Sequence, residues 1–578
     1  MSLTSILASA TAALQTTQYE IAVTSENVAN ASTTGATQKT YTVDTPISLT
    51  SALTAGEVTR ITDTYLSKTV NSLSAAAGAS STINSYLQSY DSDLGSTSDS
   101  SDISSLLSSF QSALSSLSAS ASSSTADTAS VVSAATNLAD SISGLASNIQ
   151  SLRTQASGDI STTVSSINTE LKTLQTLNSQ IAAAQETGTD ATSYEDQRDT
   201  TLTDLSSMIG VNYYTTANNQ LVVYDQGGDQ LLGSQAATLS YTSTGQLSAD
   251  TTYPDSIAGI TVNGTDITGS VTTGSLGALI QLRDTTLVNQ QDKLDQLASG
   301  LIDAANTVTN AGTANPAPNS LTSNTTVASS DSFSATGDVR IAVTDSSGDV
   351  VSTTDLDLSS YSTVSDLLTG INSISGLSAS ISSSGALVIT ASDSADGVAI
   401  NNMSSSVGSS DQSFASYFGF NDLFTGDSAS TIAVSSTLAA DSSTLPTAVL
   451  SNSSTLAAGD TAMTSGDFTT ISDLSSALTS SVTLAADGTA VSQTTSIADA
   501  ATAFVSNAAS VISTASTTAA DDSTTLSTAQ NSLSDVTGID ANQQTALLTQ
   551  YQNQYEAAAQ IMTSVKSMYS TLITMMQG

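Results

Sequence analysis

Apolar residues recur at alternating intervals of three and four positions at both ends of the chain. Near the C-terminus the series consists of Leu548, Tyr551, Tyr555, Ala558, Met562, Val565, Tyr569, Leu572 and Met576. Near the N-terminus it consists of Leu3, Leu7, Ala10, Leu14, Ile21 and Val28, with Thr17 and Thr24 as weak positions of the same register. This spacing is an a/d heptad, which keeps one seam of a helix facing a partner. We therefore predict two terminal helices that pair with each other, with further copies of the chain, or with both.

Between the ends, helical and strand-like periods alternate. Helical spacing that starts at Arg60 continues in segments through Leu117, and a longer run from Leu138 to Ile181 slips in register at Gly158, as in a stutter. Further helices are predicted over residues 194–209, 275–308, 363–374 and 496–537, the last ending at a break before the terminal heptads. A period of two predicts short strands over residues 211–214, 221–224, 257–262, 339–343 and 386–389, and a weakly extended segment over 40–49.

The order of helix, β segment, helix, β segment and helix defines the predicted fold class. We expect an α+β multidomain protein whose terminal helices pair into an α-helical coiled-coil or bundle stem, with β-rich domains inserted between them. A chain of 578 residues exceeds what one hydrophobic core usually holds. The predicted units are a terminal helical assembly domain (1–58 and 540–578), a helical stem domain (59–210, 275–318 and 441–539), a small β-rich insert (211–274) and a second β-rich insert domain (332–440).

The composition removes most catalytic chemistry. The chain has no cysteine and no histidine, which excludes thiol nucleophiles, disulfides, Cys/His zinc sites and His-based triads. Carboxylate-only sites stay open, but the acidic segments 91–93 and 345–349 lack the spacing of a calcium-binding loop and are interpreted as solvated turns. We therefore predict a structural protein that is not an enzyme and that needs no cofactor and no metal.

Charge and hydropathy limit the partners and the location. Ten basic and 51 acidic residues give a net charge of −41, a field that repels nucleic acid and anionic lipid. No segment approaches the roughly 20 apolar residues of a membrane span, and the N-terminus lacks the basic and apolar regions of a secretory signal. We expect no nucleic-acid partner, no membrane insertion, and a protein that is either cytoplasmic or exported without a cleaved signal peptide.

Motifs at both ends resemble those of flagellar axial proteins. The segment Asn27-Val28-Ala29-Asn30, followed by Thr34-Gly35, is similar to the N-terminal signature of flagellar rod, hook and hook-associated proteins. Arg60-Ile61-Thr62-Asp63 with Leu66 is similar to the segment that opens the next domain in hook-associated proteins. Residues 547–559, LLTQYQNQYEAAA, resemble the C-terminal flagellar motif.

Interior motifs narrow the resemblance to one family. The segments Asp196-Gln197-Arg198-Asp199 with a following hairpin at 221–224, GSLGALIQLRD over 274–284, and YFGFNDLF over 417–424 resemble the hook-associated FlgK family. The resemblance implies a structural subunit at the junction between hook and filament, exported by the flagellar type III apparatus and located outside the cell. It also implies assembly with its own copies, with the hook protein and with a second junction protein, and an export chaperone that binds the C-terminal helix.

Both heptads and motifs point to the terminal helices as the assembly interface. Because the seams contain many small residues, we expect the ends to be weakly ordered in the free subunit and to become helical on assembly. The predicted interface residues are Leu3, Leu7, Leu14, Ile21, Asn27, Val28, Asn30, Leu548, Tyr551, Tyr555, Met562, Val565, Tyr569 and Leu572.

Alternatives remain for the function and for single residues. Another axial protein such as the hook protein is disfavoured by the interior motifs, and a Ser/Thr-rich extracellular adhesin would not explain the paired heptads. Asn27 and Asn30 are either helix-capping and turn residues or interface residues. Arg198 and Arg283, each beside an aspartate, are interpreted as residues of structural ion pairs or helix-end contacts and not of a ligand site. The three tyrosines of the C-terminal series are interpreted as packed seam residues.

Overall fold

A computed structural model describes residues 3–43, 56–95, 98–120 and 125–577 of the chain. In these ranges the chain forms thirteen α-helices. Their bounds are α1 Leu3–Asn30, α2 Thr64–Leu94, α3 Ile103–Ser118, α4 Thr125–Thr187, α5 Thr192–Met208, α6 Gly274–Gln281, α7 Leu287–Thr309, α8 Val364–Asn372, α9 Phe414–Phe418, α10 Ser436–Ala440, α11 Thr469–Thr479, α12 Ile497–Thr537 and α13 Ala541–Gln577. A π-helical turn, Leu282–Thr286, joins α6 to α7.

The strands form sheets of two or three antiparallel members. Their bounds are β1 Lys39–Thr42, β2 Glu57–Arg60, β3 Val211–Thr215, β4 Leu221–Asp225, β5 Gln230–Leu232, β6 Leu239–Ser240, β7 Thr261–Val262, β8 Thr265–Asp266, β9 Ser320–Thr326, β10 Ala335–Thr336, β11 Asp338–Thr344, β12 Val350–Asp357, β13 Leu377–Ile381, β14 Ala386–Ala391, β15 Gly397–Asn401, β16 Ser406–Val407, β17 Phe424–Thr425, β18 Ala433–Val434, β19 Val482–Leu484 and β20 Gln493–Thr495.

The α+β multidomain class is confirmed, and α1, α12 and α13 have the predicted bounds to within a few residues. Helix does not begin at Arg60, however, because residues 57–60 pair with β1 as a strand. The helix starts only after Asp63, whose carboxylate accepts from the backbone N–H groups of Tyr65 and Leu66 as an N-cap.

The strand predicted over 257–262 is limited to β7. Of the extended segment predicted over 40–49, residues 44–49 lie outside the described part. The domain boundaries stay a prediction.

The stem is built around α4, a single helix of 63 residues. Its buried side follows the predicted series, and the helix continues unbroken through the register slip at Gly158, where the adjacent Ala156 and Ser157 are both buried. Helices α2, α3, α5, α6 and α7 pack against α4. The sheets β3–β4–β5 and β6–β7–β8 share this core through residues such as Val223 and Val262.

The second β region has a core of its own. Sheets β12–β11–β15 and β13–β14–β9 enclose it together with α8 and α9. Its centre holds Val339, Ile341 and Leu387 from the strands and the fully buried rings of Phe414 and Phe418 from α9. The two rings are in edge-to-face contact, 5.1 Å between centroids, and Phe418 belongs to the segment 417–424 that the sequence singled out.

Candidate assembly interface

The two terminal helices pair with each other in antiparallel fashion. Asn27, near the end of α1, donates from Nδ2 to Oε1 of Gln544 at the start of α13, at 3.0 Å. Farther along, Gln18 donates to the hydroxyl of Tyr555 at 3.4 Å. The residue numbers run in opposite directions along the two helices. The pair therefore has one end at the stem and the other at the two chain termini.

The α1 seam lies on the covered side of the pair. Ala10, Thr17 and Thr24 are buried, and the larger seam residues are half-buried: Leu3, Leu7, Leu14, Ile21 and Val28. Thr17 satisfies its hydroxyl by donating to the carbonyl of Ala13 at 2.8 Å. The two threonines that the pattern ranked as weak are thus the most enclosed seam positions together with Ala10, because small side chains allow the helices to approach closely.

The α13 seam is covered along most of its length but not at the C-terminal end. Ala558 and Val565 are buried, and half-buried positions are Leu548, Tyr551, Tyr555, Met562 and Tyr569. Leu572 and Met576, in contrast, are 53% and 80% exposed. The structure therefore brings the predicted seam of α13 to α1 except for its last members. Next to these, Ile561, Met568, Ile573 and Met575 are also at least half exposed.

The pair is nearly uncharged. Helix α1 contains Glu20 and Glu26, and α13 contains Glu556 and Lys566, so the pair carries a net charge of −2 of the chain's −41. Partial burial raises the pKa of Glu20, and burial together with the charge of Glu20 raises the pKa of Tyr551. The effect of the Glu20 charge on the Tyr551 hydroxyl agrees with the antiparallel register, in which Glu20 lies opposite Tyr551. Almost all of the repulsive charge lies elsewhere.

A buried joint connects the pair to the stem. The Nδ2 of Asn27 donates to the Lys39 carbonyl at 2.8 Å, and its Oδ1 accepts from the Lys39 N–H at 3.0 Å. The Lys39 ammonium contacts Glu26 of α1 at 2.6 Å and Ser193 of α5 at 2.8 Å. Asn27 is 1% exposed and Lys39 5%. Asn27 therefore binds β1 and α13 simultaneously, and Lys39 links α1 to the stem.

The stem side of the joint is held by charge. Arg60 at the end of β2 contacts Glu195 at 2.9 Å, Asp196 at 3.1 Å and Asp199 at 2.7 Å, all on α5. Asp196 also accepts from the Thr37 hydroxyl at 2.6 Å. A charge-assisted network of this kind, largely withdrawn from water, fixes the β1–β2 hairpin on α5.

The two arginines beside aspartates behave differently. Arg283 forms the predicted ion pair with Asp284 and also donates to the hydroxyl of Tyr241. Arg198 has a structural contact of another kind: its guanidinium donates to the carbonyl and the side-chain oxygen of Asn219, at 2.7 and 3.2 Å. The aspartates beside Arg198 are bound by Arg60 instead, a tertiary partner that adjacency in the chain does not reveal.

The asparagines of the N-terminal signature also differ. Asn30 makes a local turn contact, accepting from the Thr33 hydroxyl at 3.4 Å, whereas Asn27 is the centre of the joint.

Sequence reasoning missed Gln544 and Lys39. Gln544, 2% exposed, lies four residues before Leu548 and so extends the heptad by one step, a signal that was present in the pattern. Lys39 gave no signal, because its burial depends on the fold of the hairpin.

The described ranges show neither a metal site nor a membrane-spanning helix. They contain no group of three or more Asp or Glu residues positioned to hold a metal ion. Among the helices that the structure describes, none combines the length and the apolar run needed to cross a bilayer.

Two protein families match the chain. Residues 7–37, most of α1 and the turn after it, match the flagella basal body rod protein family. Residues 87–320, from α2 to the start of β9, match the flagellar hook-associated protein FlgK helical domain. The class is therefore that of the flagellar axial proteins. Within it, the predicted resemblance to the hook-associated FlgK family is confirmed over residues 87–320. This is a family of structural flagellar proteins, which implies an exported, non-enzymatic component of the flagellum that assembles with other flagellar proteins.

Among solved structures, the flagellar hook junction protein FlgK from Burkholderia pseudomallei is similar to this chain. The TM-score is 0.48 and the sequence identity 14%, and the match covers 80% of this chain and 99% of that one. No curated protein sequence matches the chain.

Proposed function

We propose that the protein is a structural subunit of the junction between hook and filament and that the α1–α13 pair is its assembling part. The observation that carries this proposal is the incomplete cover of the pair. Its C-terminal end exposes Leu572, Met575 and Met576 on helices with almost no net charge. In an otherwise strongly acidic chain, such a surface lets further copies approach without repulsion and bury apolar area.

Burial of the exposed apolar residues favours assembly. Full burial of one Leu or Met side chain stabilises by about 1.5–3 kcal/mol. Ordering a disordered segment costs about 1–2 kcal/mol per backbone residue, so burial of a few such side chains drives assembly only because the contacts within the α1–α13 pair already order most of both helices. Ends that form their final contacts late also suit transport through the type III export apparatus without a cleaved signal peptide, to a location outside the cell.

The proposed interface comprises the predicted seam residues of both helices. The proposed partners are further copies of the chain, the hook protein and a second junction protein, with an export chaperone on α13 before assembly. The match of residues 87–320 to the FlgK helical domain favours this function over that of the hook protein. A Ser/Thr-rich adhesin would leave the antiparallel terminal pair without a role.

The sharpest test uses a residue that is exposed in the free subunit. We expect Leu572→Asp to leave the stability of the free protein unchanged, because Leu572 is 53% exposed, and to abolish assembly, because a charge would enter the apolar contact between copies. Cells with this variant should carry hooks without filaments and release flagellin. The matched control is Thr574→Asp, an exposed position two residues farther along the same helix and off the seam.

Normal filament attachment by Leu572→Asp would contradict the proposal. Equal loss of filaments with Leu572→Asp and Thr574→Asp would also count against it, because the effect would then follow added charge and not the seam.

A further inference from the structure

Four asparagines attach a helix to a strand in the same way. In each, the side-chain amide donates to the carbonyl and accepts from the N–H of one strand residue, as a neighbouring strand would. The helix–strand pairs are Asn27 with Lys39, Asn168 with Leu239, Asn178 with Leu221, and Asn372 with Ala379, all at 2.8–3.0 Å. We call this arrangement an asparagine clamp. It replaces the missing partner of a backbone pair with a side chain of matching donor and acceptor.

The clamp at Asn178 lies where other contacts already hold the strand. Its partner Leu221 begins β4, which has β3 and β5 on its two sides. Leu221, Val222 and Val223 of this strand are all buried in the stem core. Loss of this clamp therefore removes one of many restraints on β4.

The clamp at Asn27 lies where fewer other contacts hold the strand. Its partner strand β1 has only β2 beside it in the described part of the chain. It is also linked to α1 by a stacked contact between Tyr19 and Tyr41, 5.1 Å between centroids, and by the ion pair of Lys39 with Glu26. Asn27 is also the clamp asparagine with a third partner on another helix, Gln544 of α13. Three elements, α1, β1 and α13, thus meet on one side chain.

The covalent connections at this place are short. The chain passes between the terminal pair and the stem twice, through residues 31–38 and through residues 538–540. A backbone bond from the Gln38 N–H to the Thr537 carbonyl, 2.8 Å long, ties the two passages together. The hairpin is fixed on α5 by Arg60, and Asn27 transmits this fixed position to both terminal helices.

We propose that Asn27 is a positioning residue that sets the direction in which the α1–α13 pair leaves the stem, and thereby the geometry in which copies stack. The first half of this proposal concerns the free subunit alone. The second half rests on the proposed function, because a fixed direction matters only if the terminal pairs of several copies pack together.

The test measures the direction in the free subunit. The chain contains no cysteine, so Thr173→Cys in α4 and Gln554→Cys in α13, both exposed, accept spin labels without background. Pulsed electron–electron double resonance measures the distance between the two labels. It should give one narrow distance distribution for the parent protein. With Asn27→Ala we expect the distribution to become at least twofold broader while the helix content by circular dichroism stays the same.

The matched control is Asn178→Ala, which removes a clamp of the same geometry at a residue of similar burial, 3% against 1% exposed. We expect the parental distribution with this variant. If Asn27→Ala lowers the yield of folded protein, Gln544→Ala serves as a second variant. It removes the α13 partner and leaves the clamp on β1 in place, and it should broaden the distribution in the same sense but less.

Filament attachment is scored for the same variants, and it should be lost with Asn27→Ala and kept with Asn178→Ala. An unchanged distance distribution with Asn27→Ala would overturn the proposal, as would equal broadening by Asn178→Ala. A broadened distribution with normal filaments would overturn the link to stacking and leave the proposed function intact, because Leu572→Asp tests that function independently.

Discussion

Helix α4 of the stem and the terminal pair α1–α13 share the same heptad spacing but differ in how completely it is covered. Along α4 the seam residues Leu138, Ile142 and Ile149 are at most 1% exposed, because several helices surround α4. In the terminal pair each helix has one main partner, and most large seam residues are only half-buried. Heptad spacing predicts that one face of a helix is covered by a partner. The contrast between α4 and the terminal pair shows that the spacing does not predict how many partners cover that face.

Side-chain size accounts for part of this contrast. The α4 seam is rich in Leu and Ile, whose volume fills the space between several helices. The seams of the terminal pair alternate large residues with smaller ones, and the enclosed positions are small or medium-sized: Ala10, Thr17, Thr24, Ala558 and Val565. The pair is closely spaced but narrow, so its flanks stay free for further copies.

The largest expected effect comes from placing an aspartate in the seam of α4, compared with the same substitution in the seam of the terminal pair. Ile149→Asp places an unpaired charge in the stem core, where Ile149 is fully buried, and should lower the free energy of unfolding by more than about 4 kcal/mol. Val565→Asp, at a seam position 4% exposed in the terminal pair, should open the pair and leave the stem transition unchanged. Urea unfolding followed by circular dichroism measures both. A stem transition that shifts equally in the two variants would show that the regions are one cooperative unit.

A smaller effect concerns the pH dependence of stability. Burial raises the pKa of Asp295 on α7 and of Asp422 in the loop after α9. A carboxyl whose pKa is higher in the folded than in the unfolded state contributes stability at low pH that is lost as pH rises through the folded pKa. We therefore expect the free energy of unfolding to be higher at pH 5 than at pH 7.

Asp295→Asn is the control for this pH effect, since it removes one of the titrating groups. The difference between the two pH values should decrease in that variant. Carboxyls with a lowered pKa, such as Asp102 and Asp266, act in a separate window, because their contribution is lost only as pH falls through their folded pKa. Stability that is equal at pH 5 and pH 7, or higher at pH 7, would contradict the assignment of Asp295 and Asp422 as buried acids without basic partners.

Periodicity predicted the long helices well because their seams repeat over many turns. It placed α1 at its observed bounds and located the break after Thr537. It failed at Arg60, where apolar spacing continues toward Leu66 but the backbone is a strand until the Asp63 cap starts α2. A four-residue strand whose one partner is another strand of the same length leaves too little pattern to detect.

The sequence revealed only part of the joint between the terminal pair and the stem, because short segments and tertiary contacts leave little periodic pattern. The resemblance of residues 27–30 to a flagellar signature singled out Asn27, and the heptad could have been extended to Gln544. Neither observation reveals that Asn27 clamps Lys39, or that Arg60 takes the aspartates beside Arg198. Those contacts depend on how the hairpin lies on α5, which is a property of the tertiary fold.

Hydrogen exchange of the free subunit tests the central claim most directly, because it compares α4 with the terminal pair residue by residue. We predict strong protection along α4, intermediate protection near the joint, and rapid exchange over residues 561–577, which become protected when the protein is incorporated into the junction between hook and filament. Protection of residues 561–577 in the free subunit equal to that of α4, or no gain of protection on incorporation, would contradict the claim that the terminal pair is completed by other copies.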